Sequence, residues 1–132
     1  EAYPNLFVIS DPDEATWLGW FAQADNYDGY LRWAYNSWTL DPLADARFRT
    51  WPAGDCFVVY PGGRGSVHFS KLTEGIQDFE KVRILRAQWR KEGNAQKLNR
   101  LSELLKAFST ETILAEGPAN ALIAAKTFLD QQ

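Results

Sequence analysis

Apolar residues near the start of the chain recur at helical spacing. The positions that would share one face of a helix are Trp17, Trp20, Phe21 and Ala24. Helix-start signals stand just before this face, since Asp11 can cap the helix, Pro12 suits its first position and Glu14 completes a capping box. The pattern predicts a helix over residues 12–25.

The second half of the chain has three more helical patterns. One predicts a long helix over residues 70–91, ended by Gly93. Its apolar positions are Leu72, Ile76, Phe79, Val82, Leu85 and Trp89. The next helix is marked by Leu98, Leu101, Leu105 and Phe108. Gly117 and Pro118 would open the last helix, which carries Leu122, Ile123, Ala125 and Phe128.

Short apolar runs between the helical patterns predict strands. Residues 6–9 are one candidate, residues 30–35 are an aromatic second, and residues 56–60 are a third that would be buried on both faces. A long polar connection, residues 36–54, joins the last two, and loops of this length inside a domain are usually functional. Strands that alternate with helices indicate parallel pairing with right-handed crossovers.

The predicted fold class is therefore α/β, helix-rich with two or three short parallel strands. A closed (β/α)8 barrel needs eight strands and typically about 250 residues, whereas this chain has 132 residues. We expect residues 1–93 to be the C-terminal β-α units of a TIM-type (β/α)8 barrel. Residues 94–132 would be a C-terminal helical tail of the same domain.

Composition and charge exclude several classes of function. The formal net charge is −3, with a pI near 5.1, so nucleic acid is not a predicted partner. No apolar run approaches the roughly 18 residues that a membrane span requires. Cys56 and His68 are the only residues of their types, so the sequence predicts no metal site and no cofactor.

The carboxylates of the chain have structural interpretations. Asp13 and Glu14 follow a predicted strand, where barrel enzymes place catalytic groups, but helix capping explains both without chemistry. Asp78 and Glu80 would face different directions on one helix, and we expect a solvated face there. The glycine-rich turn over residues 61–65 matches no phosphate-binding motif, so a tight turn is the favoured interpretation.

Aromatic and polar residues at the ends of the second and third predicted strands form the candidate substrate-binding set. Aromatic rings stack on the apolar faces of sugars, while Asn and Tyr side chains hydrogen-bond hydroxyl groups. Core packing is the alternative for Trp33 and Tyr35, and function and packing are equally supported for Asn36 and Trp38. The candidate residues are Trp33, Tyr35, Asn36, Trp38 and Tyr60.

Three ordered motifs carry a resemblance to a known family. They are DGYLRWAYNSW at residues 28–38, GDCFVVYPG at residues 54–62 and LTEGIQDFEK at residues 72–81. In this order and spacing they resemble the C-terminal signature of glycoside hydrolase family 123 and its relatives. The likeness covers roughly residues 11–86. Residues 66–70 depart from it, because they read SVHFS where relatives commonly have SIRFE.

The resemblance implies a (β/α)8 barrel that hydrolyses N-acetylgalactosaminides by a substrate-assisted mechanism. The family's adjacent Asp-Glu catalytic pair belongs to an earlier strand, so catalytic residues are expected outside this chain. The resemblance also implies a bacterial protein that is secreted or periplasmic. The departure at residues 66–70, which lacks an arginine and a glutamate, leaves the ligand specificity open.

The leading hypothesis is a C-terminal fragment of a glycosidase-like protein that acts on N-acetylgalactosamine-type or related glycans. It would supply barrel closure and sugar-contacting aromatics, with a glycan and the upstream barrel portion of the parent chain as partners. The alternative is a stand-alone carbohydrate- or protein-binding domain without catalysis.

Overall fold

The computed structural model describes residues 4–132, and these form five helices joined by loops. The helices are α1 (Asp13–Ala24), α2 (Val67–Glu92), α3 (Ala95–Leu105), α4 (Thr110–Glu116) and α5 (Ala119–Asp130). Helix α2 spans 26 residues and crosses α1 over the largest helix-to-helix contact in this part of the chain. No helix among residues 4–132 is long and apolar enough to cross a membrane.

The predicted helices are confirmed with small shifts in their ends. The Glu14 carboxylate accepts the backbone N–H of Asp11 at 3.2 Å, which is one of the two hydrogen bonds of the predicted capping box. The Asp11 carboxylate accepts the N–H of Asp13 instead, at 2.9 Å, and α1 begins at Asp13, one residue after Pro12. Helix α2 begins at Val67 rather than residue 70, because the Ser66 hydroxyl accepts the N–H of Phe69 and caps it. Helix α4 was not predicted, since its seven residues are too few to show a periodic apolar stripe.

The predicted barrel units are wrong, because residues 4–132 contain no β-sheet. The only ladder-type pairing in this range consists of two isolated antiparallel bridges, Asn36 with Phe57 and Tyr60 with Arg64. Residues 6–9, 30–35 and 56–60 are therefore not parallel strands, and the α/β fold class is replaced by a helical one. An apolar run indicates that a segment is buried, but it does not show which groups the backbone of that segment hydrogen-bonds with. The three runs therefore do not establish strands.

The main core is built by helices from both halves of the chain. Trp17 and Trp20 of α1 pack on Phe108, with ring centroids 5.4 and 5.3 Å apart. Trp89 of α2 meets Phe128 of α5 edge-on at 6.0 Å. Nine of the 13 buried residues in this cluster follow residue 93: Leu101, Leu105, Phe108, Ile113, Ala121, Leu122, Ala125, Phe128 and Leu129.

Two apolar positions assigned to buried helical stripes lie on the surface instead. Ile76 of α2 and Ile123 of α5 are both mostly exposed. They fall at the edge of the contact between helices, because α2 presents Gly75, Asp78 and Val82 to its neighbours. The buried stripe of α2 is therefore narrower and more polar than its sequence pattern indicates.

A chain of ion pairs joins α1, α2 and α5. Lys71 pairs with Asp13 at 2.9 Å and with Glu74 at 3.4 Å. Lys126 pairs with Glu74 at 2.7 Å and with Asp78 at 2.6 Å. The same Asp78 oxygen accepts the indole N–H of Trp20 at 2.9 Å.

The expectation of a solvated face at Asp78 is wrong, because that residue is buried. Sequence spacing alone does not reveal Lys126, which lies 48 positions away and supplies the countercharge. A buried carboxylate needs such partners, since an unpaired charge is costly to remove from water. Glu80, in contrast, pairs with Arg83 near the surface, as expected.

Candidate functional site

The candidate site is built on two segments of the long connection between α1 and α2. We call residues 35–38 and 56–60 together the paired segments. They run antiparallel, with the Ser37 N–H donating to the Cys56 carbonyl oxygen and the Val58 N–H donating to the Tyr35 carbonyl oxygen, both at 3.0 Å. This pairing brings together four of the five predicted residues: Tyr35, Asn36, Trp38 and Tyr60.

The paired segments rest on the start of the helical core. Val58 is buried in a second apolar cluster with Leu6 and Ala15 of α1. The Ser66 hydroxyl also donates to the Val58 carbonyl oxygen at 2.6 Å, which ties this segment to the beginning of α2. The helices therefore fix the position of the second segment, and the first segment is aligned on it.

Arg32 anchors the loop that follows α1. Its guanidinium donates to the carbonyl oxygens of Gly54, at 3.1 Å, and Asp55, and it lies 3.9 Å from the Asp55 carboxylate. The side chain is only 11% exposed. Because a single terminal nitrogen of the guanidinium donates to two successive carbonyl oxygens, Arg32 holds the two ends of a 22-residue stretch together.

Trp33 lies away from the other predicted residues and pairs with a residue that sequence reasoning missed. Its ring stands 5.6 Å from the ring of Trp51, at 51° between planes. The two indoles are 61% and 50% exposed, respectively, so both present ring faces to solvent. Trp51 lies in the loop over residues 36–54, directly before Pro52, and nothing in the sequence around it indicates that its ring contacts Trp33.

Tyr60 lies between two open grooves. One groove, of about 390 Å³, is lined by Leu6, Phe57, Val67 and His68 as well as Tyr60. The other, of about 370 Å³, is lined by Pro42, Leu43, Arg64 and Tyr60. The Tyr60 ring packs edge-on against the Phe57 ring at 5.3 Å between centroids. The backbone N–H of Tyr60 donates to the Arg64 carbonyl oxygen at 2.7 Å.

Some polar atoms of the site are free for a ligand. Within residues 4–132, the Asn36 amide and the hydroxyls of Tyr35 and Tyr60 make no side-chain hydrogen bond, whereas the Trp38 indole N–H donates to the Val59 carbonyl oxygen at 2.8 Å. Trp38 therefore offers only its partly exposed ring face. The combination of free amide and hydroxyl groups with exposed rings suits a polyhydroxylated ligand.

The carboxylates near the site are engaged in structural contacts. Asp13 pairs with Lys71, and the Glu14 carboxylate accepts backbone N–H groups from Asn5 and Asp11. Hydrogen bonding to Asp13 raises the pKa of Lys71 above its ordinary value. Asp55 faces Arg32. The described part of the chain thus places no pair of open carboxylates beside the paired segments.

The single cysteine and histidine have local roles. Cys56 is buried and free, as expected, and burial raises the pKa of its thiol. The Nε2 atom of His68 lies 3.1 Å from the Ser10 carbonyl oxygen, which connects the first turn of α2 to the residues before α1. Among residues 4–132, no group of three or more His, Cys, Asp or Glu side chains is arranged to hold a metal ion.

Comparison with known proteins places these features in a family. The family model described as the catalytic domain of glycoside hydrolase 123 matches residues 1–85. A solved family 123 glycoside hydrolase from Clostridium perfringens, analysed for glycolipid glycan hydrolysis, is similar with a TM-score of 0.73 and 24% identity. The similarity covers 98% of this chain but 26% of that chain, so the present sequence spans about a quarter of its length. No curated protein matches.

Proposed function

This chain belongs to the glycoside hydrolase 123 family, and we propose that it contributes the glycan-contacting aromatics of a glycosidase that acts on N-acetylgalactosamine-type or related sugars. The observation that carries the proposal is the set of exposed rings and free polar groups on the paired segments, inside the matched residues 1–85. Trp33, Tyr35 and Trp38 supply ring faces, while Asn36 and Tyr60 supply hydrogen-bonding groups.

We place the catalytic carboxylate pair in another portion of the parent protein. The adjacent Asp13 and Glu14 support this assignment, because one is paired with Lys71 and the other caps α1. In this proposal the partners of the chain are the glycan and the upstream portion of the parent. The aromatic set positions the sugar, and the upstream portion transfers the proton to the leaving group.

The first test uses the 132-residue chain and an aryl N-acetylgalactosaminide. We expect no release of the aryl group, because the described carboxylates near the site are held in capping and ion-pair contacts. Titration with N-acetylgalactosamine should give, at most, weak NMR shifts confined to the paired segments and the Trp33 indole. Hydrolysis by the chain alone would contradict the division of labour.

The second test uses the full parent protein with Trp33→Ala and Trp38→Ala. Each change should lower kcat/KM by about fivefold, since one stacking contact is worth on the order of 1 kcal/mol. Leu114→Ala is the control, because Leu114 lies on α4, is about as exposed as Trp33 and belongs to no part of the candidate site. Equal effects from all three changes would remove the support for a specific sugar-contacting role.

A second candidate function is a stand-alone carbohydrate- or protein-binding domain. The observation that favours it is the main apolar core, to which all five helices of residues 4–132 and Phe108 of the α3–α4 connection contribute. It requires measurable carbohydrate affinity of the 132-residue chain that is lost in Trp38→Ala, together with cooperative unfolding. Cooperative unfolding without carbohydrate affinity would leave the glycosidase proposal as the better account.

We also propose that the parent is a bacterial protein exported to the periplasm or the cell exterior. Its support is the family membership alone. Fractionation of the native cells with an antibody to this chain tests the proposal, and recovery in the cytoplasm would oppose it.

A further inference from the structure

Another cavity in the described part of the chain shares no lining residue with the paired segments. It occupies about 510 Å³ between the end of α1, the last third of α2 and helix α3. None of its lining residues belongs to residues 30–66, so it is separate from the candidate glycan site. Its polar lining includes Asp25, Asn26, Arg86, Arg90, Ser102 and Lys106.

Arg86 and Arg90 are one turn apart on α2 and line the same cavity. The guanidinium of neither residue forms an ion pair or a hydrogen bond with any residue between positions 4 and 132; Arg86 is half-buried and Arg90 is exposed at the mouth of the cavity. Burial, together with repulsion from Arg90, lowers the pKa of Arg86 below its ordinary value. Two like charges held together without a counterion are unfavourable, and such an arrangement is stabilised when an anion enters.

Two nearby cations, in contrast, have carboxylate partners. Arg83, on the same helix, pairs with Glu80 at 2.7 Å, and Lys106 pairs with Glu103 at 2.7 Å. Lys106 lines the cavity, but Glu103 neutralises the charge of its ammonium group. Asp25 is the one carboxylate in the lining, and it lies beyond ion-pair distance of both arginines. The cavity thus keeps an excess of positive charge.

We propose that this cavity is a binding site for a tetrahedral oxyanion, a phosphate or sulfate group, held by Arg86 and Arg90. The planar guanidinium presents paired N–H donors whose spacing matches two oxygens of such a group. Ser102 and Asn26 add neutral donors at the rim. The site does not depend on the proposed glycan function, since the two share no residue.

The test is a titration of the 132-residue chain with inorganic phosphate and, separately, with sulfate, while sodium chloride keeps the ionic strength constant. The readouts are ¹H–¹⁵N NMR shifts and the midpoint of thermal unfolding. We expect saturable shifts at Asn26, Arg86, Arg90 and Ser102, with a dissociation constant of about 1 mM for two charge-assisted contacts. Shifts that chloride reproduces at the same ionic strength would overturn the proposal.

The variants Arg86→Gln and Arg90→Gln should each weaken binding at least tenfold. Neither should lower the unfolding midpoint without anion, because each removes a repulsive neighbour and breaks no ion pair. Arg83→Gln is the matched control and should bind phosphate like the unchanged protein, since Arg83 faces Glu80. Unchanged phosphate binding in Arg86→Gln would overturn the proposal. Comparison of the phosphate and sulfate titrations then identifies which oxyanion the site prefers.

Discussion

Gly19 and Gly75 lie against each other where α1 crosses α2, and neither position has room for a side chain. A β-carbon on Gly75 would come 2.6 Å from the carbonyl oxygen of Thr16, and one on Gly19 would collide with the Gly75 backbone. The obstructing atoms are backbone atoms that cannot rotate away. Close approach of the two helices lets the Thr16 hydroxyl donate to the Lys71 carbonyl oxygen at 3.0 Å, and this hydrogen bond fixes the crossing of α1 and α2.

Gly75→Ala should therefore destabilise the protein. We expect a loss of about 2 kcal/mol or more in the free energy of unfolding, because the helices must separate to admit the methyl group. Urea unfolding measures the change. Gly29→Ala is the control, since nothing lies within 4 Å of the added atom, and its effect should stay within about 0.5 kcal/mol. Equal stabilities for the two variants would contradict the close crossing.

The buried carboxylate of Asp78 gives a second prediction. Asp78→Ala should cost about 3 kcal/mol, because it removes the acceptor of the Trp20 indole N–H and one of the two partners of Lys126. The indole N–H resonance of Trp20 should move at the same time. Glu80→Gln, which alters an exposed pair with Arg83, should change stability by less than about 0.5 kcal/mol. An unmoved Trp20 resonance in Asp78→Ala would refute the hydrogen bond.

The pH dependence of stability should reflect Glu74. The hydrogen bond from Lys126 holds the pKa of Glu74 below its ordinary value of 4.5, against the opposing effect of burial. A carboxylate with a lowered pKa in the folded state stabilises the protein above the unfolded-state pKa, and the contribution disappears as the pH falls through the folded-state pKa.

The stability difference between the unchanged protein and Glu74→Gln should accordingly be largest near neutral pH and shrink below pH 4.5. Urea unfolding at several pH values measures it. Lys126 takes part in the same contact: burial alone would lower the pKa of its ammonium group, but hydrogen bonds to Asp78 and Glu74 raise it. A difference that grows on acidification would have the wrong sign for this ion pair.

Arg32 gives a prediction about the candidate site itself. Arg32→Gln should release the Gly54 and Asp55 carbonyl oxygens and loosen the loop over residues 36–54. Hydrogen exchange at the Ser37 and Val58 amides, which pair the two segments, should accelerate by tenfold or more if their local opening free energy falls by about 1.4 kcal/mol.

The matched change for that experiment is Arg47→Gln. Arg47 lies in the same loop but pairs with Asp45 at the surface, where it holds the pKa of the Asp45 carboxyl at about 2. Its removal should return that pKa toward 3.8 and leave the Ser37 and Val58 amides protected. If Arg32→Gln also leaves them protected, the Arg32 contacts do not hold the loop.

The helices could be predicted from sequence because their signals are local. Asp11 and Glu14 cap α1 through residues within three positions, and Gly93 ends α2 in the left-handed conformation at φ 67°. The three predicted strands are wrong, because apolar runs do not show backbone pairing, and the pairing that does occur, the isolated Asn36–Phe57 bridge, joins positions 21 residues apart. An apolar run such as residues 56–58 is equally compatible with burial under helices.

The candidate residues were selected by residue type and by their position at the ends of two runs interpreted as strands and in the loop after the first. The structure shows both runs to be loop segments that pair through one isolated bridge. The contact between Trp33 and Trp51 and the clamp of Arg32 on Gly54 depend on how the loop folds back. The assignment of Trp33, Tyr35, Asn36, Trp38 and Tyr60 to substrate binding stays a prediction.

The distribution of the core across the chain limits how the protein can be shortened. The family match ends at residue 85, yet the rings of Trp17 and Trp20 pack against Phe108, which lies beyond it. A polypeptide trimmed to the matched residues would leave both indoles exposed to water and would remove Lys126, the ammonium partner of Asp78. The family match therefore ends at residue 85, whereas the residues needed for a complete core extend to Leu129, and a polypeptide made for expression should include them.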